Sequence, residues 1–364
     1  YKADKFLKVS VDGYKEGDFA MIMGFPGSTS RYMTSFEIDR MLDIENPQRI
    51  FIRGERQAIL KEDMAASDKV RIQYASKYAQ SSNYWKNSIG MSRGIRKLNV
   101  KAQKEAQEAA FRKWAEANTL PTEGYMDALD RIREAVEGNA SAFAAEQVLR
   151  EALYRAVEIL TPARSFLAVE KITDPAHSKE AMRAFYKDYN PATDRRVAKR
   201  MMQIVKEKCG DLPTVFAEVI DKRFGGDTDA YVDYLYDNSV FADERKALAA
   251  AAAGTDVSND PAVLLNKSYT AKMRELAAAQ LAGKRKFADG QRLYIAGLMR
   301  MQPNKAWASD ANFTLRLTYG RVLPYDPADG IHYNYYTTLK GVMEKENPQN
   351  PTEFTVPARL KELY

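Results

Sequence analysis

One run constrains this chain more than any other: residues 67–118 read as helix from end to end. Ala106, Ala110, Trp114 and Ala117 continue an apolar stripe at helical spacing. Ser67-Asp68 offers an N-cap. Unbroken, the run would reach about 75 Å at roughly 1.5 Å per residue, with Gly90 and Gly94 as the expected places to bend. Inside it sits SSNYWKNSIG, residues 81–90. Asn83 and Asn87 are four apart and so share a helix face. Asn is a poor helix former that prefers caps and turns. Two of them in mid-helix beside Tyr84 and Trp85, with Gly90 and Gly94 just beyond, are a locally costly choice. Such local violations gather at functional sites. The pair reads either as a polar hook for a ligand, since amides both donate and accept, or as a packing seam. In the seam the Asn side chains would bond a neighbour's backbone and the glycines would allow close approach. Spacing alone leaves both open.

The texture around this run changes twice. Residues 6–11, FLKVSV, residues 19–24, FAMIMG, and residues 31–36, RYMTSF, each read as a short strand between turn residues. From about residue 37 the pattern is helical, with a break expected at Asn46-Pro47. Helices follow at about 123–137, 141–160, 162–172, 174–189, 192–208, 212–224, 227–238, 242–253, 261–282 and 285–301. The breaks expected between them include Thr161-Pro162, Asn190-Pro191, Gly225-Gly226, Gly254 and Gly283, and Asp211 reads as a cap. Their irregular spacing argues against a fixed-period repeat. Near Asp310 the pattern turns back: residues 312–319, NFTLRLTY, alternate like a strand. An aromatic-rich loop at 326–336 and two short helices at 337–347 and 358–364 close the chain. The expected organisation is β at 1–36, an α-helical domain at 37–305, and a return to β with short helices at 306–364. A mainly α domain inserted between strands of a β-domain is the economical fold.

Composition narrows the classes of function. Hydrophobic residues make up 45% and charged residues 29%, a globular balance. No apolar run approaches the roughly 18 residues of a membrane-spanning helix. Net charge is +6, mild for 364 residues, and no basic run interleaves with aromatics, so nucleic acid is not an expected partner. The single Cys209 excludes an internal disulfide and a multi-cysteine metal site, and His177 and His332 are too few for a histidine metal site. No metal or cofactor is expected. The start, Tyr1-Lys2-Ala3-Asp4, reads as neither a methionine start nor a signal peptide, as in an excised or processed chain.

Catalytic constellations are missing from the sequence as read. A Ser/His/Asp triad needs a base beside its nucleophile, and no nucleophile turn such as Gly-x-Ser-x-Gly is present. Gly24-Phe25-Pro26-Gly27 lacks the spacing and the Lys-Ser/Thr pair of a phosphate loop. The many carboxylates lie in charge-alternating helices, the usual pattern of solvated faces.

Four stretches together resemble the bacterial dipeptidyl-peptidase VII/XI family. They are EGDFAMIMGFPGSTSRYMTS from Glu16, SNYWKNSIG from Ser82, ANFTLRLTYG from Ala311, and YYTTLKGVMEKENPQNPTEFTVPARLKEL from Tyr335. The resemblance covers essentially the whole chain in order. It implies serine exopeptidases with a chymotrypsin-like double β-barrel and a large inserted helical domain, which this chain would supply with barrel flanks. The catalytic His and Asp would then precede residue 1, and the nucleophilic Ser would follow residue 364, so that no catalytic residue is expected here. An Asn of the SNYWKN segment would hold the free α-amino group of the peptide substrate, Asn83 first and Asn87 second. The implied partners are peptides with a free N-terminus and the rest of the barrel, with a homodimeric parent admitted. The implied location is periplasmic or cell-surface. The competing expectations are a non-catalytic helical binding or scaffold module and an independent enzyme of another class. Orphan strands at both flanks favour the inserted domain.

Overall fold

The computed structural model describes residues 2–167, 175–350 and 354–364, the side chains of 165–167, 175–179 and 181 excepted. The protein is mainly α. It divides into two compact units, Tyr1–Arg31 with Trp307–Tyr364, and Tyr32–Ala306.

The larger unit is helical. It begins with α1 (Ser35–Arg40), α2 (Asn46–Ala66), α3 (Asp68–Lys97), α4 (Val100–Asn118), α5 (Ala128–Gly138), α6 (Ala140–Leu149) and α7 (Leu160–Leu167). It continues with α8 (Pro175–Lys187), α9 (Pro191–Lys208), α10 (Lys222–Phe224), α11 (Thr228–Asn238), α12 (Glu244–Ala253), α13 (Pro261–Ala279) and α14 (Leu281–Met301). Ser67 caps α3 through its side chain, which accepts from the Val70 N–H, and Asn190, Asp227, Asp243 and Asp260 cap their helices in the same way.

Several expected breaks fall elsewhere. The long run is two helices, and the break is at Asn99, whose φ of 50° is left-handed, rather than at Gly90 or Gly94. Asn tolerates that conformation because its short polar side chain can bond locally. Asn46-Pro47 does not end the helix. A π turn at Met41–Glu45 leads directly into α2, and Pro47, which lacks an N–H, sits in the first turn of α2 where none is needed. Pro162 likewise lies in the first turn of α7. The expected helix at 162–172 and Asp174 run beyond the described residues. Gly283 is inside α14, and the break comes at Gln280. Asp211 caps nothing: its carboxylate pairs with Lys272 at 2.7 Å.

The main core joins α2, α3, α6, α9, α11 and α13 through Leu60, Tyr74, Leu149, Met201, Tyr231 and Val263, all nearly inaccessible. A second buried cluster gathers on α4, α5 and α14 around Phe111, Ile132 and Tyr294, with Phe111 and Tyr294 edge to face at 4.9 Å.

The smaller unit is a two-stranded ribbon with additions. β1 (Phe19–Gly24) pairs antiparallel with β2 (Arg316–Arg321), from Phe19 opposite Arg321 to Gly24 opposite Arg316. β3 (Tyr325–Ala328) and β4 (Ile331–Tyr333) form a hairpin turning at Gly330, whose φ of 71° suits glycine. α15 (Leu339–Glu344) and α16 (Ala358–Leu363) follow. The expected strand at 6–11 is not formed, and Phe6, Leu7, Val9 and Val11 lie exposed. Residues 31–36 are a turn running into α1 and not a strand. Alternation predicts a face to be covered, but a strand exists only where a neighbour completes its ladder. No described strand forms a ladder with either segment. The strand expected at 312–319 is shifted to 316–321 because Phe313 adopts a left-handed φ of 64° and donates its N–H to Pro26.

Candidate functional site

The SSNYWKNSIG segment lies on α3, and its faces separate sharply. The buried face is Ser81, Trp85, Ser88 and Ser92, spaced at helical period against α2. Small hydroxyl residues let the two helices approach and bond. Asn46 Nδ2 donates to Ser92 Oγ at 3.0 Å, Arg49 to Ser88 Oγ at 3.3 Å, and Trp85 Nε1 to the Ile50 carbonyl at 3.0 Å, with the indole lying against Gly54. Trp85 therefore packs as a structural anchor. Tyr84 is half exposed, its ring under the Arg53 guanidinium at 5.0 Å.

Asn83, Asn87, Gly90 and Gly94 recur at the same period on the opposite side of α3. Both Asn side chains are exposed, and neither bonds another described residue. Nothing lies within 4 Å of where a Cβ would stand at Gly90 or Gly94. On α3 the packing seam is thus built from the serines and Trp85, not from Asn83, Asn87, Gly90 and Gly94. The site is an open polar stripe of two adjacent amides, able to accept from an ammonium or donate to a carbonyl.

Beside the seam some of the charges are buried, contrary to the pattern read in the sequence. Glu151, on a π turn at Arg150–Tyr154, is buried and accepts from Arg53 at 2.7 Å and 3.3 Å, with Arg49 and Arg155 at 3.6 Å. Glu158 takes Lys77 and, at 3.5 Å, Arg56. Sequence alternation shows where charges are, but not which of them a tertiary partner will neutralise; buried ions persist only when so paired.

No catalytic constellation is complete among the described residues. His332 Nδ1 meets Asp326 Oδ1 at 2.8 Å on the β3–β4 hairpin, with both side chains exposed and no hydroxyl or thiol bonded to the ring. His177 has its side chain outside what is described. Gly27, of the Gly24-Phe25-Pro26-Gly27 turn, lies against the Phe313 ring, and a Cβ there would stand 3.2 Å from it. No group of three or more His, Cys, Asp or Glu side chains is arranged for a metal ion among the described residues, and no described helix is long and apolar enough to cross a membrane.

The family model described as Peptidase S46 matches residues 1–364. Dipeptidyl-peptidase 7 of Porphyromonas gingivalis is 41% identical over 374 residues, covering 100% of this chain and 52% of the relative. The Asp/Glu-specific dipeptidyl-peptidase of the same organism is 35% identical over 380 residues, again covering 100% and 52%. The crystal structure of Porphyromonas endodontalis DPP11 in complex with the dipeptide Arg-Glu superposes with a TM-score of 0.85 at 31% identity, over 99% of this chain and 53% of that one. The chain spans about half the length of the curated relatives it matches.

Proposed function

Since this chain belongs to the peptidase S46 family, we propose that it is the helical lid and specificity part of a serine-type dipeptidyl-peptidase acting on peptides with a free N-terminus. Under this reading the catalytic His, Asp and Ser belong to barrel segments outside these residues, and the parent works in the periplasm or at the cell surface. The observation that carries the reading is the open stripe: Asn83 and Asn87 present unpartnered amides on a rigid helix, away from its packing seam.

The chemistry follows from what an exopeptidase must distinguish. It has to favour a charged N-terminus and turn away longer chains. The amide oxygen of Asn83 accepts from the substrate ammonium, one helical turn from Asn87, while a carboxylate of the barrel balances the charge. A bulky helical unit blocks extension beyond the N-terminus. A substrate lacking the ammonium leaves these polar groups without partners once the cleft closes, which gives steep discrimination.

The test is Asn83→Ala in the full-length parent. Losing one charge-assisted bond costs about 1.5–3 kcal/mol, so kcat/KM should fall roughly 10- to 150-fold. The loss should be largest on dipeptidyl substrates with a free amine and nearly absent on N-acylated ones, with little change in melting temperature. An effect confined to Asn87→Ala would move the role to that residue. Full activity in both variants would sink the assignment.

A further inference from the structure

Asn83 and Asn87 can serve an ammonium only if α3 holds one rotational setting. Each stands two residues from Trp85, so both lie about 200° round the helix from it, at roughly 100° per residue. At a side-chain radius of about 5–6 Å, a rotation of about 10° moves the amides by roughly 1 Å. A misplacement of about 1 Å can cost on the order of a hundredfold in rate. Whatever fixes the rotation therefore belongs to the reaction as well as to the fold.

Ser81, Ser88 and Ser92 are small enough to let one helix roll on the other. Ser88 and Ser92 are bonded by the ends of side chains, Arg49 at 3.3 Å and Asn46 at 3.0 Å, and such arms can follow a roll. Trp85 differs. Its Nε1 donates at 3.0 Å to the Ile50 carbonyl, a main-chain group in the body of α2. An indole turns about only two side-chain torsions, so this bond ties the body of one helix to the body of the other. The contact falls where α2 carries no side chain: a Cβ at Gly54 would stand 3.5 Å from Nε1. The Ile50 carbonyl also belongs to the hydrogen-bond ladder of α2, so the indole is not needed to satisfy it. What the bond adds is a fixed setting of α3 against α2.

We infer that Trp85 is a positioning residue for substrate: its bond to Ile50 sets the rotation of α3 and so aims Asn83 and Asn87 at the substrate ammonium. This rests on the role proposed above for the two amides.

Trp85→Phe in the full-length parent tests it, since phenylalanine keeps an aromatic ring and removes the donor. On dipeptidyl-coumarin substrates with a free amine, kcat/KM should fall about three- to tenfold, a part of the loss from a full displacement of about 1 Å. N-acylated substrates should be nearly unaffected and circular dichroism unchanged. The decisive readout is a double-mutant cycle. In a parent already carrying Asn83→Ala and Asn87→Ala, Trp85→Phe should cost less than about twofold more, because no amide is left to aim. An equal loss in both backgrounds would mean that Trp85 serves the fold alone, and overturns the inference. So does full kcat/KM in Trp85→Phe while the Asn variants lose theirs. Full activity in Asn83→Ala and in Asn87→Ala refutes the amide reading itself, and this inference with it. Gly54→Leu drives a side chain under the indole while leaving its donor in place, and carries the same cycle if Trp85→Phe does not fold.

Discussion

Asp194 is 1% exposed, and its two oxygens accept from the N–H groups of Glu158 and Ile159 at 2.8 Å each and from the Tyr236 hydroxyl at 2.7 Å. It pins the start of α7 to α9, so a single side chain fixes one wall of the helical unit. Burial, and after it the charge of Glu158, pushes its carboxyl up to about 7 from 3.8. The folded protein then keeps a proton that the unfolded chain has lost. The stability from this group is complete below the unfolded value of about 4 and is lost as pH rises through about 7. Asp194→Asn cannot titrate. Urea unfolding should show the wild type losing ground to this variant by roughly 1 kcal/mol per pH unit between about pH 5 and 7. A constant difference across that window would show that Asp194 stays ionised in the fold. Nothing in the sequence marks Asp194, because it lies among the charges of ATDRRVAKR like any solvated residue. Asn83 and Asn87 stand out in the sequence for the opposite reason: they break a local rule, and no described packing partner accounts for it.

Helices were legible wherever caps and apolar spacing agreed, as at Ser67, Asn190 and Asp227. Their joints were legible only in part: glycine does break the chain at Gly225-Gly226 and Gly254, but elsewhere the structure uses it inside a helix, to bring helices together. Gly290 and Gly297, seven apart on α14, lie where a Cβ would stand 2.7 Å from the Ala128 carbonyl oxygen and 2.5 Å from the Phe111 ring. Gly290→Ala should therefore destabilise by about 1–3 kcal/mol through overpacking, since its nearest obstacle is backbone. Gly90→Ala, on the open stripe of α3, meets nothing and should stabilise by about 0.5–1 kcal/mol. Thermal melts of both variants check the pair, and equal shifts would remove the distinction between seam and stripe. If Gly90→Ala raises the melting temperature of the parent while lowering kcat/KM, the bare stripe matters to substrate and not to folding.

At the scale of the whole molecule, the chain carries a well-packed helical unit and a sparsely covered β unit. Phe19, Met21, Ile22, Met23, Leu317 and Tyr319 on the β1–β2 ribbon are each more than half exposed. Apolar exposure of that extent marks a surface meant to be covered, in keeping with the proposal that the remaining barrel lies outside these residues. Incubated alone with dipeptidyl-coumarin substrates, the 364-residue chain should release no fluorophore. Release that survives repurification and is blocked by a serine-directed phosphonate would contradict the proposed division of labour. The β–α–β order was readable from period alone, but the strands at 6–11 and 31–36 were not decided by it, since pairing is a property of two segments and the sequence shows one at a time.

The Asp310 carboxylate accepts from the Thr29 hydroxyl at 2.6 Å, across 281 residues, and from the Arg31 N–H at 2.8 Å, while Thr29 Oγ1 accepts from the Ala311 N–H at 2.9 Å. This clasp sits beside the end of the ribbon where Gly24 faces Arg316. The polypeptide leaves and re-enters the β unit at neighbouring points, so everything between them is, to the ribbon, a single closed loop. The entropy of closing a loop grows only with the logarithm of its length, by about 0.6 kcal/mol for each doubling. Helices added to or removed from the intervening unit would thus leave the ribbon almost indifferent, and the helical unit can be remodelled while the strands that carry it stay in register.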